Sequence, residues 1–401
     1  MVIKITQPTL DLSPNRSGYI RTSATVSDDN SERDIWFEFP TEIAGSLTKW
    51  GNPWLLAALP YGLQSNQDIM LDMPVDAVFL ENINAWIRKF SAWFPKIPQI
   101  TIDAPRIWSE ENGDRTLSFF SGGVDSWFTL LRHTTETEGY PQVGKVDNTV
   151  TIWGFDIPIS NKAAFDKVSD ACRKSLEPFE VTPIFTATNI REDSDSWWAR
   201  EWGPITHGLA LAATGNFLTP LAKKILIPSG GFSKNTPVQG SHPYTDHLFS
   251  SSSTQFIHDH PSYEKLDKLE CISRHLDALR TLRVCWKGQN EKNCTNCEKC
   301  VRILRSLEVL GVLDEAISFD LSLYQAQRHK YIYSADDQSK DFMHSLYEAA
   351  RQRGNNEIVS FLRKNMASSR RVNFALDALH SLPGKPLSWR ARSFFTRNMI
   401  K

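Results

Sequence analysis

Apolar residues along this 401-residue chain change period several times, and the changes mark out its elements. From 115 to about 230, short β-rich runs alternate with stretches whose apolar positions recur at helical spacing. Strands are predicted near 115–120, 149–155, 181–187 and 224–228, and helices near 126–134, 162–175 and 204–218. Strand and helix in strict alternation predict an α/β fold, a doubly wound parallel sheet with ligands at the carboxyl ends of its strands. Upstream, the alternating run Ile35-Trp36-Phe37-Glu38-Phe39 predicts a strand and INAWIRKFSAWF, Ile83 to Phe94, a helix. Pro95, Pro98 and Pro105 then punctuate the chain as a linker would. Three units are expected: an N-terminal α+β domain over 1–112, the α/β domain over 113–320, and a helical, basic region over 321–401.

Composition adds limits rather than direction. Hydrophobic residues make up 41% and charged residues 23%, as in ordinary globular domains, and the formal net charge of −1 supplies no general attraction to nucleic acid. No run of 18 apolar residues occurs and Met1-Val2-Ile3-Lys4 begins no secretory pattern, so a cytoplasmic protein away from membranes is expected. Trp36, Trp50, Trp54, Trp86 and Trp93 fit an aromatic core better than a tryptophan-lined groove. The last segment carries roughly 14 Lys/Arg against 6 Asp/Glu, densest at Arg370-Arg371 and Arg390-Ala391-Arg392. A solvated helical face accounts for such charge more simply than a partner surface does.

Candidate chemistry concentrates in Ser121-Gly122-Gly123-Val124-Asp125-Ser126, between a predicted strand and a predicted helix. Paired glycines let the backbone turn sharply and approach a ligand. The helix that follows aims free N–H groups and a positive dipole end at whatever fills the turn. Ser121 and Ser126 add hydroxyls, and Asp125 adds a candidate Mg²⁺ contact. A second concentration is Cys285, Cys294, Cys297 and Cys300, spaced C-x8-C-x2-C-x2-C. Four thiolates complete a tetrahedral Zn²⁺ shell with no position left for substrate, which makes such a site structural. An iron–sulfur cluster and free thiols are the weaker readings. Cys172 and Cys271, on apolar helical stretches, read as buried small residues.

SGGVDS resembles the PP-loop of ATP pyrophosphatases, which holds ATP while its α-phosphate is attacked and pyrophosphate leaves. The lysine of a Walker A loop is absent. A PP-loop followed about 160 residues later by this cysteine spacing resembles the 7-cyano-7-deazaguanine synthase (QueC) family, over roughly residues 114 to 312. Phe155-Asp156 resembles that family's Phe-Asp pair after the second strand, and Gly240-Ser241-His242-Pro243-Tyr244-Thr245-Asp246 its substrate loop. Lys268 falls where the family carries a lysine. Val124 stands where the family usually has Gln, and the family's Pro-Gly-Arg-Asn turn is replaced by Gly203-Pro204-Ile205-Thr206-His207. The long flanking segments resemble those of QueC-like proteins in bacterial anti-phage operons, including the Qat system and cyclic-oligonucleotide defence systems.

The resemblance implies an ATP-dependent ligase or synthase that adenylates a carboxylate, 7-carboxy-7-deazaguanine, and passes it to an amine. The resemblance leaves the amine open between ammonia and a protein amine of an anti-phage partner, and the flanking segments fit a macromolecular acceptor better than ammonia. A true nitrile-forming synthase and a non-catalytic nucleotide-sensing subunit are the alternatives, and tRNA thiolation is weaker still. ATP, Mg²⁺ and Zn²⁺ are the expected cofactors; the oligomeric state, a dimer included, is left open. Ser121, Asp125 and Ser126 are the catalytic candidates. ATP is expected against Ser121 to Ser126 together with Phe155, Asp156 and Thr188. The substrate is expected against His207, Gly240, His242, Pro243, Asp246 and Lys268, and the metal at the four cysteines. Asp156 reads equally as a helix or turn cap, and His207 and His242 as hydrogen-bonded structural histidines.

Overall fold

A computed structural model describes residues 2–29, 31–194, 196–231, 237–285, 292–328 and 337–367, with side chains from 341 onward in the last stretch. The basic clusters at 370–371 and 390–392 lie outside the described residues. The strands are β1 (Val2–Ile5), β2 (Thr9–Leu12), β3 (Tyr19–Ser27), β4 (Glu32–Pro40), β5 (Asp68–Leu71), β6 (Val75–Asp76), β7 (Ile102–Asp103), β8 (Arg106–Ile107), β9 (Arg115–Phe119), β10 (Asn148–Trp153), β11 (Thr182–Thr188), β12 (Ala222–Pro228) and β13 (Gln255–Asp259). The α-helices are α1 (Asn52–Ser65), α2 (Ala77–Trp93), α3 (Val124–Thr134), α4 (Lys162–Leu176), α5 (Trp197–Arg200), α6 (His207–Phe217), α7 (Lys265–Ser273), α8 (Leu276–Arg280), α9 (Glu298–Leu310), α10 (Leu321–Gln327) and α11 (Asp337–Gln352), and another helix runs over 356–367.

The fold is mixed α/β about a largely parallel central sheet. Strands β9 to β13 pair in the order β13-β12-β9-β10-β11, all parallel. Strand order reverses between β9 and β12, and in open α/β sheets that reversal opens a crevice at the carboxyl ends. The turn 121–126 leaves β9 there, and Ser229-Gly230-Gly231 leaves β12 beside it. Side chains alternate between two cores, as the two-residue period of a strand requires. Ile225 and Ile227 face one and Leu226 the other; Ile184 and Phe185 divide likewise. Helices α1, α2 and α6 cover the first face, while α3, α4, α7, α8 and α9 cover the second.

The first 112 residues, expected to stand as a unit of their own, share this sheet and its first core. β4 pairs antiparallel with β11 through Ala187–Glu38 and Thr188–Phe37, and the sheet continues through β3, β1, β5 and β7. The reason lies in α6. Its sequence, HGLALAATGNF, has no polar face, and a helix apolar all round must be covered on both sides. The sheet covers one side and α1 the other. Phe217 of α6 sits 4.8 Å from Phe37 and edge-on to Trp54 at 5.4 Å, so the two segments meet in dry aromatic contact. The N-terminal tryptophans Trp54 and Trp86 are core residues.

Buried Asp76 ties the same halves together by hydrogen bonds. It caps α2 through Phe79 N–H at 2.9 Å and accepts from the N–H of Ser109 at 3.2 Å and of Ser252 at 3.0 Å. The Ser252 hydroxyl completes its shell. A small core of Val309 from α9 with Phe342, Met343, Leu346, Ile358 and Leu362 packs the described helices that follow.

Candidate functional site

The turn after β9 is built as its sequence demands. Gly122 has φ +74°, in the left-handed region where a side chain would be strained. Its carbonyl accepts the backbone N–H of Arg283 at 2.8 Å, which pins the turn to the chain entering the cysteine cluster. Gly123 caps α3 without a side-chain bond, so the first N–H groups of the helix point out of the turn. Val124 buries its side chain in the second core and offers the turn only its backbone.

The two serines divide their work. Ser126 is buried; its Oγ donates to Gly123 O at 3.0 Å and accepts from Ser121 N–H at 3.3 Å, so it braces the turn. Ser121 is exposed at the mouth, where its Oγ accepts from Gly123 N–H at 3.3 Å and lies 3.4 Å from Ser126 Oγ. Asp125 differs most from expectation. Lys265 Nζ contacts both carboxylate oxygens, at 2.6 and 2.7 Å, and Lys268 Nζ stands 3.1 Å from one of them. The carboxylate therefore anchors two ammonium groups beside the turn instead of presenting free oxygens to Mg²⁺. Burial pushes its pKa up, but the charges of Lys265 and then Lys268 outweigh that and hold it at about 2. Lys268 is almost wholly buried, which lowers its own pKa, and it also donates to the carbonyl of Ser229.

A cavity of about 360 Å³ opens from this turn. Ser121, Gly123, Asp125, Ser126, Phe155, Asp156 and His207 line it, together with Trp202, Ser241, His258 and Arg283. Its inner wall, with Val150, Ile152, Phe165 and Leu211, is apolar, whereas its rim carries charge. That is the make-up of a small-ligand site: an apolar body with a few convergent polar groups. Arg283 reaches in from the second core. Its Nη1 lies 4.0 Å from Asp156, while Nε and Nη2 are buried with no hydrogen-bond partner. Two buried guanidinium nitrogens without a hydrogen-bond partner, beside free helix N–H groups, suit an anion. Phe155 meets Trp202 edge to face at 4.8 Å, and its carbonyl accepts from Arg191 at 2.6 Å, whose guanidinium stacks over Trp202 at 4.5 Å.

Other predicted residues are nearby but turned elsewhere. His207 Nδ1–H donates to Trp202 O at 2.9 Å, and Nε2 accepts from Ser241 N–H at 3.2 Å. Both nitrogens are used and burial lowers its pKa, so it stands as a neutral wall residue, not a free base. Thr188 is buried at the end of β11, where its hydroxyl accepts from Ile190 N–H, away from the cavity. His242 packs against Trp93 with ring centroids 5.1 Å apart, and burial lowers its pKa too. Gly240 and Pro243 frame that loop without lining the cavity. Gly240 lies so close to α6 that a Cβ on Gly208 would fall 1.8 Å from its carbonyl oxygen.

Asp246 acts through its neighbours. It accepts from His242 N–H at 2.9 Å, Ser241 Oγ at 2.6 Å and His258 Nδ1–H at 2.7 Å. His258 Nε2 in turn accepts from Ser229 Oγ at 2.8 Å. Carboxylate, imidazole and hydroxyl thus form one line that ends at the cavity wall, and Lys268 continues it from Ser229 to Asp125. Lys265, Arg283, Trp202, Ser229 and His258 were missed in the sequence. Only Lys265 carried a usable signal, lying three residues before Lys268 on the same helix.

The four clustered cysteines do converge, with every Sγ within 4.8 Å of the others. Cys285–Cys297 and Cys294–Cys300 are 3.9 Å apart and Cys297–Cys300 3.4 Å. A tetrahedral ion with bonds of about 2.3 Å would space its sulfurs about 3.8 Å apart, so the set fits a bound metal such as zinc. Cys297 caps α9 and its sulfur accepts Cys300 N–H at 3.5 Å. Hydrogen bonding from the Cys300 thiol, against burial, brings the Cys297 pKa down to about 5, toward the thiolate that ligates. Asn293 secures the segment that bears Cys285 through Val284 and Cys285 N–H at 2.9 and 3.2 Å. Cys172 and Cys271 are buried as expected, and burial pushes their thiols up to about 12 and about 11.

No helix among the described residues is long and apolar enough to cross a membrane. No protein-family model, curated protein or solved structure matches this chain.

Proposed function

We propose that the chain is an ATP-dependent adenylating enzyme of the PP-loop type, similar in chemistry to 7-cyano-7-deazaguanine synthase. The observation that carries this reading is the Arg283 guanidinium, two of whose buried nitrogens have no hydrogen-bond partner, lining one cavity at the β9/β12 reversal with the first turn of α3. Triphosphate oxygens satisfy both at once. Backbone N–H groups of 124 and 125, the Ser121 hydroxyl and Lys265 would hold the phosphates, and Phe155 with Trp202 would form the purine wall. Mg²⁺, when bound with ATP, supplies charge neutralisation across the phosphates. Asp125 helps indirectly by fixing Lys265 and Lys268 beside the turn.

A carboxylate oxygen of the acceptor, 7-carboxy-7-deazaguanine in this reading, attacks the α-phosphorus. The bond to the bridging oxygen breaks, and that oxygen leaves on pyrophosphate. Preorganised N–H and cationic donors stabilise the charge that develops there. An amine then displaces AMP from the acyl-adenylate and loses its proton. His258, held in one tautomer by Asp246 and lining the cavity, is the candidate to receive that proton. A protein amine of an anti-phage partner is the favoured acceptor, since the shared N-terminal sheet adds surface beyond what ammonia requires. Thiolation is disfavoured: four cysteines converge on one another, and Cys172 and Cys271 are held as thiols.

The deciding experiment is ATP–pyrophosphate exchange with and without 7-carboxy-7-deazaguanine. Stimulation by the carboxylate supports adenylation. No exchange, together with tight ATP binding, would turn the reading to a nucleotide-sensing subunit. Nitrile formation with ammonia alone would make the protein a true synthase.

A further inference from the structure

A second convergence of metal-binding side chains lies at the end of β13, away from both the cysteines and the cavity. In a regular strand Asp259 and residue 260 would face opposite sides. His260 instead has φ +47°, a left-handed conformation uncommon outside glycine, which swings its ring back beside Asp259. From α3, Thr129 and His133 are one turn apart and share a face. The Thr129 hydroxyl donates to Asp259 Oδ2 at 2.8 Å, His133 Nε2 lies 3.0 Å from Oδ1, and His260 Nε2 lies 3.4 Å from the same oxygen. The three ligand atoms fall within 4.8 Å of one another.

Hydrogen bonding explains only half of this arrangement. The His133 contact is a sound hydrogen bond, but His260 Nε2 is buried with no hydrogen-bond partner. An unpaired buried nitrogen and a strained backbone at one residue are both costs that a ligand would offset. Two imidazole nitrogens and a carboxylate suit a first-row divalent cation. Bonds of about 2.0–2.2 Å place such ligands about 3 to 3.5 Å apart, close to the observed spacing. Thr129 would hold the other carboxylate oxygen, the outer support such ligands need. Arg132 and the buried Lys268 ammonium are adverse neighbours, although Arg132 is turned to Pro141 O at 2.7 Å and Lys268 is held by Asp125 and the carbonyl of Ser229.

We propose that His133, Asp259 and His260 form a second metal site, for Zn²⁺ or a similar divalent transition cation, with an open coordination position. Its affinity is below that of the cysteine cluster because Arg132 and Lys268 oppose the added charge.

The test is zinc titration of the full chain, read as bound metal per chain and as melting temperature. Wild type is expected to bind about two equivalents, the second more weakly. His260→Asn, which tolerates the left-handed backbone but removes the imidazole, and His133→Ala should each lose the weaker equivalent and the rise in melting temperature that accompanies it. Co²⁺ at this site should add visible absorption without the intense thiolate charge-transfer bands of a cysteine site. Saturation of wild type at about one equivalent overturns the proposal. So does a second equivalent that survives in both variants.

Discussion

The ammonium of Lys268 stands 3.1 Å from the carboxylate of Asp125 and also donates to the carbonyl of Ser229. One buried cation therefore joins the turn after β9 to the turn after β12, the two loops that flank the strand-order reversal. Helix α7, which carries Lys265 as well, acts as the clamp between them.

This pairing predicts a specific acid sensitivity. The folded-state pKa of Asp125 is about 2, below its unfolded value near 4. Its contribution is complete above the unfolded value and is lost as pH falls from there through about 2. The shift corresponds to about 2 kcal/mol. Asp125→Asn should lose that acid-dependent component and, by leaving Lys268 buried without its anion, cost about 3 kcal/mol at neutral pH. Urea unfolding at pH 7, 4 and 3 measures both. Equal slopes against pH in the two proteins would refute the assignment.

Arg283 offers a cleaner separation of structure from binding. Its backbone N–H holds Gly122 whatever side chain it carries, whereas its guanidinium lines the cavity with two nitrogens free of hydrogen bonds and only a 4.0 Å contact to Asp156. Arg283→Ala should leave the melting temperature nearly unchanged and weaken ATP binding about tenfold, the loss of one charge-assisted hydrogen bond. Calorimetric titration with ATP reads the effect. Unchanged affinity would place the phosphates elsewhere.

At the cysteine cluster, Cys297→Ser removes the ligand whose sulfur also caps α9. Metal bound at that cluster should fall from about one ion to none, and the variant should melt as the chelated wild-type protein does. Elemental analysis beside thermal unfolding checks the pair of outcomes. A metal-free wild type with unaltered stability under chelation would speak for free thiols.

Gly208 carries no chemistry, yet its substitution should reach the site. A Cβ there would fall 1.8 Å from Gly240 O, in a contact between backbones with no flexible side chain to yield. Gly208→Ala should destabilise the protein by about 2 kcal/mol or more, and should displace the loop that holds Ser241 and Asp246. Hydrogen exchange of the Ser241 and His242 amides should rise with it. Exchange rates equal to wild type would show that α6 can shift to absorb the methyl group.

The sequence made the elements of the α/β region legible because strand and helix periods alternate there without interruption, and the chain runs strand–glycine turn–helix as SGGVDS suggests. The cysteines were legible from spacing alone. What it concealed were partners brought from far along the chain. Nothing near Asp125 announces that Lys265 and Lys268, 140 and 143 residues later, will neutralise it. Arg283 reads as one more charge beside a cysteine, and its place in the cavity emerges only once two of its guanidinium nitrogens are seen to lack a hydrogen-bond partner. The N-terminal boundary misled for a physical reason. Prolines mark a linker in composition, but the absence of a polar face on α6 already required a cover from outside its own segment.

The seam between β4 and β11 has one more consequence. A parallel sheet that ended at β11 would present an unpaired edge, a template for stray chains. Here the protein supplies its own next strand, β4, in the opposite direction and turns a vulnerable border into an interior one. Residues 1–112 are thus less an attachment than a guard. Removing them would yield a sticky remnant rather than a minimal folded core.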